Sequence, residues 1–181
     1  MILETERLIL REMNLDDYDA LCSIMKDDCV MYAYEGAFSD DEVQQWYDRQ
    51  IDRYKNDGFG LWAVILKDTG EFIGQCGITM QQYKESYIPE IGYLFNNRFW
   101  HKGYATEAAI ACKNYAFTSL KMNCIYSIIR DTNTASQNVA LRNGMKAVDK
   151  IIKYYRNVYM PHIVYVIGKY PIDSVDAESC F

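Results

Sequence analysis

Proline is nearly absent, at 3 of 181 residues, and glycine is held to 10. Collagen-like and linker-rich architectures need far more of both and are excluded. Long apolar runs are missing too. A spanning helix needs about 20 consecutive apolar residues, and stretches such as residues 61–66 are far shorter, so no membrane partner is expected. There is no basic excess. The formal net charge is −6 at pH 7, the wrong sign for a face that tracks a nucleic-acid backbone. Histidine is limited to His101 and His162, and Cys22, Cys29, Cys76, Cys112, Cys124 and Cys180 contain no C-x-x-C pair. A metal site is therefore not expected, and the thiols read as reduced, mostly packed as small apolar side chains. No P-loop is present and no G-x-G-x-x-G follows a strand, which disfavours a nucleotide-binding protein. The first residues carry Glu4 and Glu6 where a secretory leader has a basic segment and an apolar run; a cytoplasmic location is expected.

What remains is ordinary globular material, 50% apolar and 24% charged, in a length that suits one domain. That domain is placed at residues 1–170, with an aperiodic, flexible tail over 171–181. Residues 6–13 read as a strand. Tyr18, Leu21, Cys22 and Met25 fall at helical spacing behind an acidic turn. Ser39 and Glu42 form a capping box for a helix that runs to about Asn56. Residues 60–67 and 71–80 form a hairpin about Asp68-Thr69-Gly70, and residues 87–95 form another strand. Residues 103–120 make a long helix with a stripe of Ala105, Ala108, Ala109, Cys112 and Ala116, suited to lying close on a sheet. A buried strand (124–130), a short helix from Asn133 to Asn143-Gly144 and strands at 147–156 and 159–169 follow. The order implies a mixed, mostly antiparallel sheet of about seven strands flanked by about four helices, an α+β fold.

The chemistry concentrates between Glu90 and Ala108. A strand leads through a loop into a helix that starts at Lys102-Gly103-Tyr104-Ala105-Thr106. Gly103 lets a ligand approach the backbone, and the first helical amides are unpaired at the positive end of the dipole. Together they suit a phosphate or diphosphate, with His101 and Lys102 adding positive charge; a plain helix start packed with small residues is the other reading.

Trp100-His101-Lys102-Gly103-Tyr104-Ala105-Thr106-Glu107-Ala108 resembles the acetyl-CoA loop of the GNAT acetyltransferase superfamily, and most of all its RimJ/RimL branch, whose loop commonly reads W-G-x-G-Y-A-T-E-A. Three further blocks resemble that branch and a fourth sits in place: Thr5 to Arg11 its T-x-R-L-x-L-R opening, Glu90-Ile91-Gly92-Tyr93 its E-I-G-Y strand, Asn133 to Gly144 its N-x-x-S segment, and Gly74 to Gly77 its G-x-x-G strand. Departures are His101 for glycine, Asn97 for proline, Met145 for an aromatic, and Ala140 where many members carry a tyrosine acid.

The resemblance implies acetyl-CoA as cosubstrate, without a metal, and a primary amine as acceptor, a protein N-terminus or a small molecule. The diphosphate would rest on residues 102–106. Pantetheine would lie along Tyr93, Leu94 and Phe95, with a backbone amide near Leu94 or Phe95 as oxyanion donor, and Asn133 and Asn138 would also hold the cofactor. Asn133 reads equally as a helix cap. Glu90 is the candidate general base, or else a strand-end acid in a salt bridge. Ser136 is the candidate partner of the leaving thiolate, or else a locally bonded helix residue. Tyr32, Tyr34 and Glu35 would cover the acceptor, Glu35 holding a cationic amine or standing solvated in a loop. Transfer is expected to be direct, without an acyl-enzyme, in a monomer or homodimer. The alternative, prompted by Ala140, is a non-catalytic acyl-CoA sensor or scaffold.

Overall fold

The computed structural model describes residues 1–170; the tail expected over 171–181 lies outside the described residues. Strands β1 (Leu3–Glu4), β2 (Leu8–Arg11), β3 (Leu61–Leu66), β4 (Phe72–Tyr83), β5 (Ser86–Phe95), β6 (Cys124–Arg130), β7 (Lys146–Tyr155) and β8 (Val158–Gly168) form one sheet, in the order β1-β2-β3-β4-β5-β6-β8-β7. The helices are α1 (Tyr18–Met25), α2 (Asp28–Met31), α3 (Asp40–Asn56), α4 (Tyr104–Thr118) and α5 (Thr134–Arg142). The α+β fold is the one expected, with one strand and one helix more.

The extra strand comes from a side chain. The strand expected over residues 6–13 forms as the shorter β2, and β1 is added before it, because Thr5 Oγ accepts the Leu8 N–H at 3.0 Å and closes a turn between the two. The extra helix, α2, is a single turn capped by Asp27, whose carboxylate accepts the Cys29 N–H at 2.8 Å; four residues are too few to show periodicity. The capping box at the start of α3 forms as expected, with Ser39 and Glu42 bonded reciprocally.

Two glycines sit where β4 meets its neighbours without room for a side chain. A Cβ on Gly77 would run into the Gly60 carbonyl, and one on Gly74 would stand 2.6 Å from the Leu94 carbonyl oxygen. The main core lies between the sheet and α4, whose Ala108, Ala109, Cys112 and Ala116 are buried. These small residues bring the helix close enough for the Cys76 and Cys112 sulfurs to stand 3.6 Å apart. A second core lies under α1 and α3, and a third joins Tyr83 and Ile88 to Tyr126 and Val164. The cysteines depart from expectation at one described position: Cys22, Cys29, Cys76 and Cys112 are free thiols, but Cys124 is disulfide-bonded. Cys180 lies outside the described residues.

One pairing positions the site. Every neighbouring pair of strands is antiparallel except β5 and β6, which run parallel across the α4 crossover and share the single register pair Glu90–Tyr126. Pro89 precedes that pair and has no N–H to extend the ladder. On the other side the strands diverge.

Candidate active site

Side chains replace the ladder where β5 and β6 part. Ser127 Oγ donates to the Ile91 carbonyl at 3.0 Å, and the Ile128 N–H donates to Glu90 Oε1 at 2.7 Å. Beyond these two bonds the strands separate into a gap. The Ile91 carbonyl faces β6, and peptide groups alternate along a strand. Those of Tyr93 and Phe95 therefore also face the gap, while those of Gly92 and Leu94 turn to β4. Of the amides expected near the oxyanion, Leu94 and Phe95, that of Leu94 turns to β4 and that of Phe95 faces the gap. The Phe95 carbonyl is taken by Trp100 Nε1 at 2.8 Å.

The gap opens toward the start of α4. Gly103 occupies the N-cap position at φ +84°, a left-handed conformation that favours glycine, and no side chain caps the helix. The first amides of a 15-residue helix are thus left for a ligand. A clasp holds this end. Arg7 donates to the Lys102 carbonyl at 3.0 Å and to Glu107 Oε2 at 2.7 Å, and its guanidinium lies 4.4 Å from the Tyr104 ring centroid. Thr5 Oγ donates to Glu107 Oε1 at 2.6 Å. The T-x-R and T-E-A blocks, a hundred residues apart, are the two halves of this clasp.

The far wall is α5. Asn133 Oδ1 accepts the Ser136 N–H at 3.0 Å and the Tyr32 hydroxyl at 2.8 Å. Asn133 is therefore the helix cap and also the anchor of Tyr32. The Tyr93 hydroxyl donates to the Ser136 carbonyl at 2.8 Å, and burial pushes that phenol well up. Ala140 is buried in the main core and carries no hydroxyl.

Past the gap lies a chamber. Tyr34, Phe38 and Trp46 pack edge to face, with ring centroids 5.8 to 6.0 Å apart. Burial pushes Tyr34 up to about 12. Burial also raises the Glu90 carboxyl, opposed by Lys153, the Ile128 N–H and Arg53. A carboxylate shifted this way is a better proton acceptor near neutral pH.

One trench of ≈ 1840 Å³ joins these parts. It is lined by Glu90, Tyr93, Leu94, Phe95, His101, Gly103, Tyr104, Ala105, Thr106, Asn133, Ser136, Asn138, Tyr32 and Tyr34. The two other expected residues stand aside. The Lys102 ammonium lies 5.1 Å from the Phe99 ring centroid, and Glu35 pairs with Arg130 at 2.5 Å. Glu35 is thus engaged by Arg130 and is neither the free hold on a cationic amine nor the solvated loop acid that the sequence offered. Sequence reasoning missed Arg7, Trp46, Arg49, Arg53 and Lys153. The first stood inside a motif already quoted; the next three share a face of α3 at three- and four-residue spacing, a signal that was there to find.

The comparisons agree with this geometry. Residues 7–146 match the acetyltransferase (GNAT) domain family. The N-acetyltransferase p20 of Bacillus licheniformis, itself uncharacterized, is 36% identical over 169 residues, covering 84% of this chain and 92% of that protein. A GNAT-family acetyltransferase from Bacillus anthracis superposes with a TM-score of 0.78 at 28% identity, over 93% of this chain and 98% of its own. A putative ribosomal-protein-serine acetyltransferase from Vibrio cholerae shares the fold at 20% identity and a TM-score of 0.76, over 92% and 96% of the two chains. The match over most of the chain, the split between β5 and β6 and the open start of α4 lead to one conclusion: this chain belongs to the GNAT acetyltransferase family.

Proposed function

We propose that the protein transfers an acetyl group from acetyl-CoA directly to a primary amine, in a ternary complex. The observation that carries this is the gap between β5 and β6, which opens beside the uncapped start of α4. The diphosphate rests on the N–H groups of Tyr104, Ala105 and Thr106. The α4 start lies beyond the C-terminal end of β5. Pantetheine therefore runs back along β5 toward Glu90, pairing with the gap-facing peptides of Phe95 and Tyr93 as an added strand. The thioester then sits deepest, where the Tyr93 N–H is the amide placed to stabilise the oxyanion.

The amine enters from the chamber. It attacks only when neutral, and an α-amino group at about 7.7–8.0 loses its proton more readily than a lysine at about 10.4. Glu90 takes that proton, directly or through a water; Ile128 fixes the carboxylate through Oε1 and leaves Oε2 for the transfer. The tetrahedral intermediate collapses as the C–S bond breaks; the CoA thiolate, stabilised by a hydrogen bond from Ser136 Oγ, takes up the second proton lost by the attacking nitrogen. Asn133 and Asn138 line the pantetheine. The two products are the N-acetyl amine and CoA.

The test combines calorimetry of acetyl-CoA with thiol release across an amine panel. Saturable binding plus amine-dependent thiol release is expected. Binding without release from any amine would leave a CoA-binding module and end the enzymatic reading.

A further inference from the structure

The acceptor end of the trench holds more positive charge than its own carboxylates neutralise. Arg130 there is matched by Glu35 at 2.5 Å, and the lining carboxylate Glu42 is taken by Arg156 from outside the trench. Arg49, Arg53 and Lys153 also line the trench, and among the described residues none of the three forms an ion pair. Arg49 and Arg53 lie one turn apart on α3. Arg53 donates to the neutral Gln50 amide oxygen at 3.2 Å, and the Arg49 guanidinium lies 5.7 Å from the Trp46 ring centroid. Like charges at this spacing repel on a helix. Glu90 is the one trench carboxylate near them without an ion pair, and its Oε1 is committed to the Ile128 N–H. His162, on the same wall as Lys153, is held below its ordinary value by burial and is a neutral neighbour there.

Two guanidinium forks without a carboxylate partner are donors matched to a planar, bidentate anion. A polyamine offers only cations to this wall and would meet repulsion along its length. We infer that the acceptor is an amine that also carries a carboxylate, its nitrogen directed to Glu90 and its carboxylate seated by Arg49 and Arg53, with Lys153 on the facing strand. The inference rests on the acetyl-transfer reading above and names the acceptor class for it. A free aminocarboxylate and a peptide N-terminus followed by an acidic residue share this chemistry.

The experiment uses matched pairs. One arm compares 4-aminobutyrate with 1,4-diaminobutane, which differ by a carboxylate against an ammonium. The other compares tetrapeptide amides that begin with serine and carry aspartate or lysine second. Each pair is measured twice, by kcat/KM with acetyl-CoA and by calorimetry on the CoA-loaded protein. In at least one arm the carboxylate member should exceed its cationic partner by about 10- to 100-fold, the range for charge-assisted hydrogen bonds, and that arm identifies the source. The double variant R49Q/R53Q should bring the ratio toward one while still binding CoA, which reports that it is folded. Cationic partners that do as well or better in both arms would overturn the inference. So would a ratio that survives in R49Q/R53Q, or failure of both carboxylate probes to bind. If the carboxylate probes bind with the stated preference and nothing is turned over, the charge inference stands and the transferase reading falls.

Discussion

Glu90 is held by a backbone amide through Oε1 and is partly buried on the trench wall, and the two effects separate its binding from its chemistry. Its carboxyl is raised, so the base form accumulates only as pH climbs through that raised value, and kcat/KM should rise along an acid limb above the ordinary glutamate range. Glu90→Gln keeps an oxygen for the Ile128 N–H but cannot take a proton. It should lower kcat by about 10²–10⁴, the usual span for a general base, remove the Glu90 step from the acid limb so that only the ionisation of the acceptor amine shapes it, and leave CoA affinity intact; a limb unchanged in the variant would remove Glu90 from this role. Ser136→Ala should cost about tenfold in kcat, the equivalent of 1.4 kcal/mol, with acceptor KM little moved; wild-type turnover would shift attention to the Tyr93 and Tyr32 hydroxyls beside it. Residues inside a contiguous motif, such as Glu90, Gly103 and Asn133, were legible in the sequence because their spacing carries their geometry. Arg49, Arg53 and Lys153 were not read. A charge on an amphipathic face looks solvated until the fold shows which wall it stands on.

At the scale of elements, the start of α4, the proposed diphosphate seat, is left uncapped by glycine and held in place by Arg7. Gly103→Asp would set a side chain at a φ of +84° that favours glycine and put negative charge where the diphosphate is proposed to lie. CoA affinity should fall by about tenfold or more, a loss on the scale of charged hydrogen bonds, in a protein that still melts cooperatively. Calorimetry and a thermal melt check both halves. Arg7→Ala instead releases the clasp on Glu107. Unfolding free energy should drop by about 1–2 kcal/mol, discounted for the exposure of the arginine, and the apparent constant for acetyl-CoA should rise. Helices with caps and hairpins with turn residues were readable along the chain. The break between β1 and β2 was not, since Thr5 makes it by a side-chain bond whose other commitment, Glu107, lies at the far end of the loop. The short α2 was hidden for want of length.

Across the whole molecule the sheet behaves as two parts, β1 to β5 and β6 to β8, joined on the backbone at Glu90–Tyr126. A second strap crosses between them at the tip of the β4–β5 hairpin, where Asp149 on β7 accepts from the Tyr83 hydroxyl at 2.6 Å and pairs with Lys84 at 2.9 Å. These bonds lower the Asp149 carboxyl to about 2. A depressed carboxyl stabilises the fold above its unfolded value of about 3.9 and loses that contribution as pH falls through the folded value. Asp149→Asn should therefore melt lower than wild type at pH 7, and the difference should close between about pH 4 and pH 2. Melts across that range decide it; a constant difference would mean the strap acts by shape alone. The single backbone rung also has a kinetic consequence. On the proposed reading, pantetheine lying in the gap between β5 and β6 would form one wall against which the amine packs. Addition should then be compulsory in order, acetyl-CoA before amine and the acetylated product leaving before CoA. CoA should inhibit competitively against acetyl-CoA and noncompetitively against the amine.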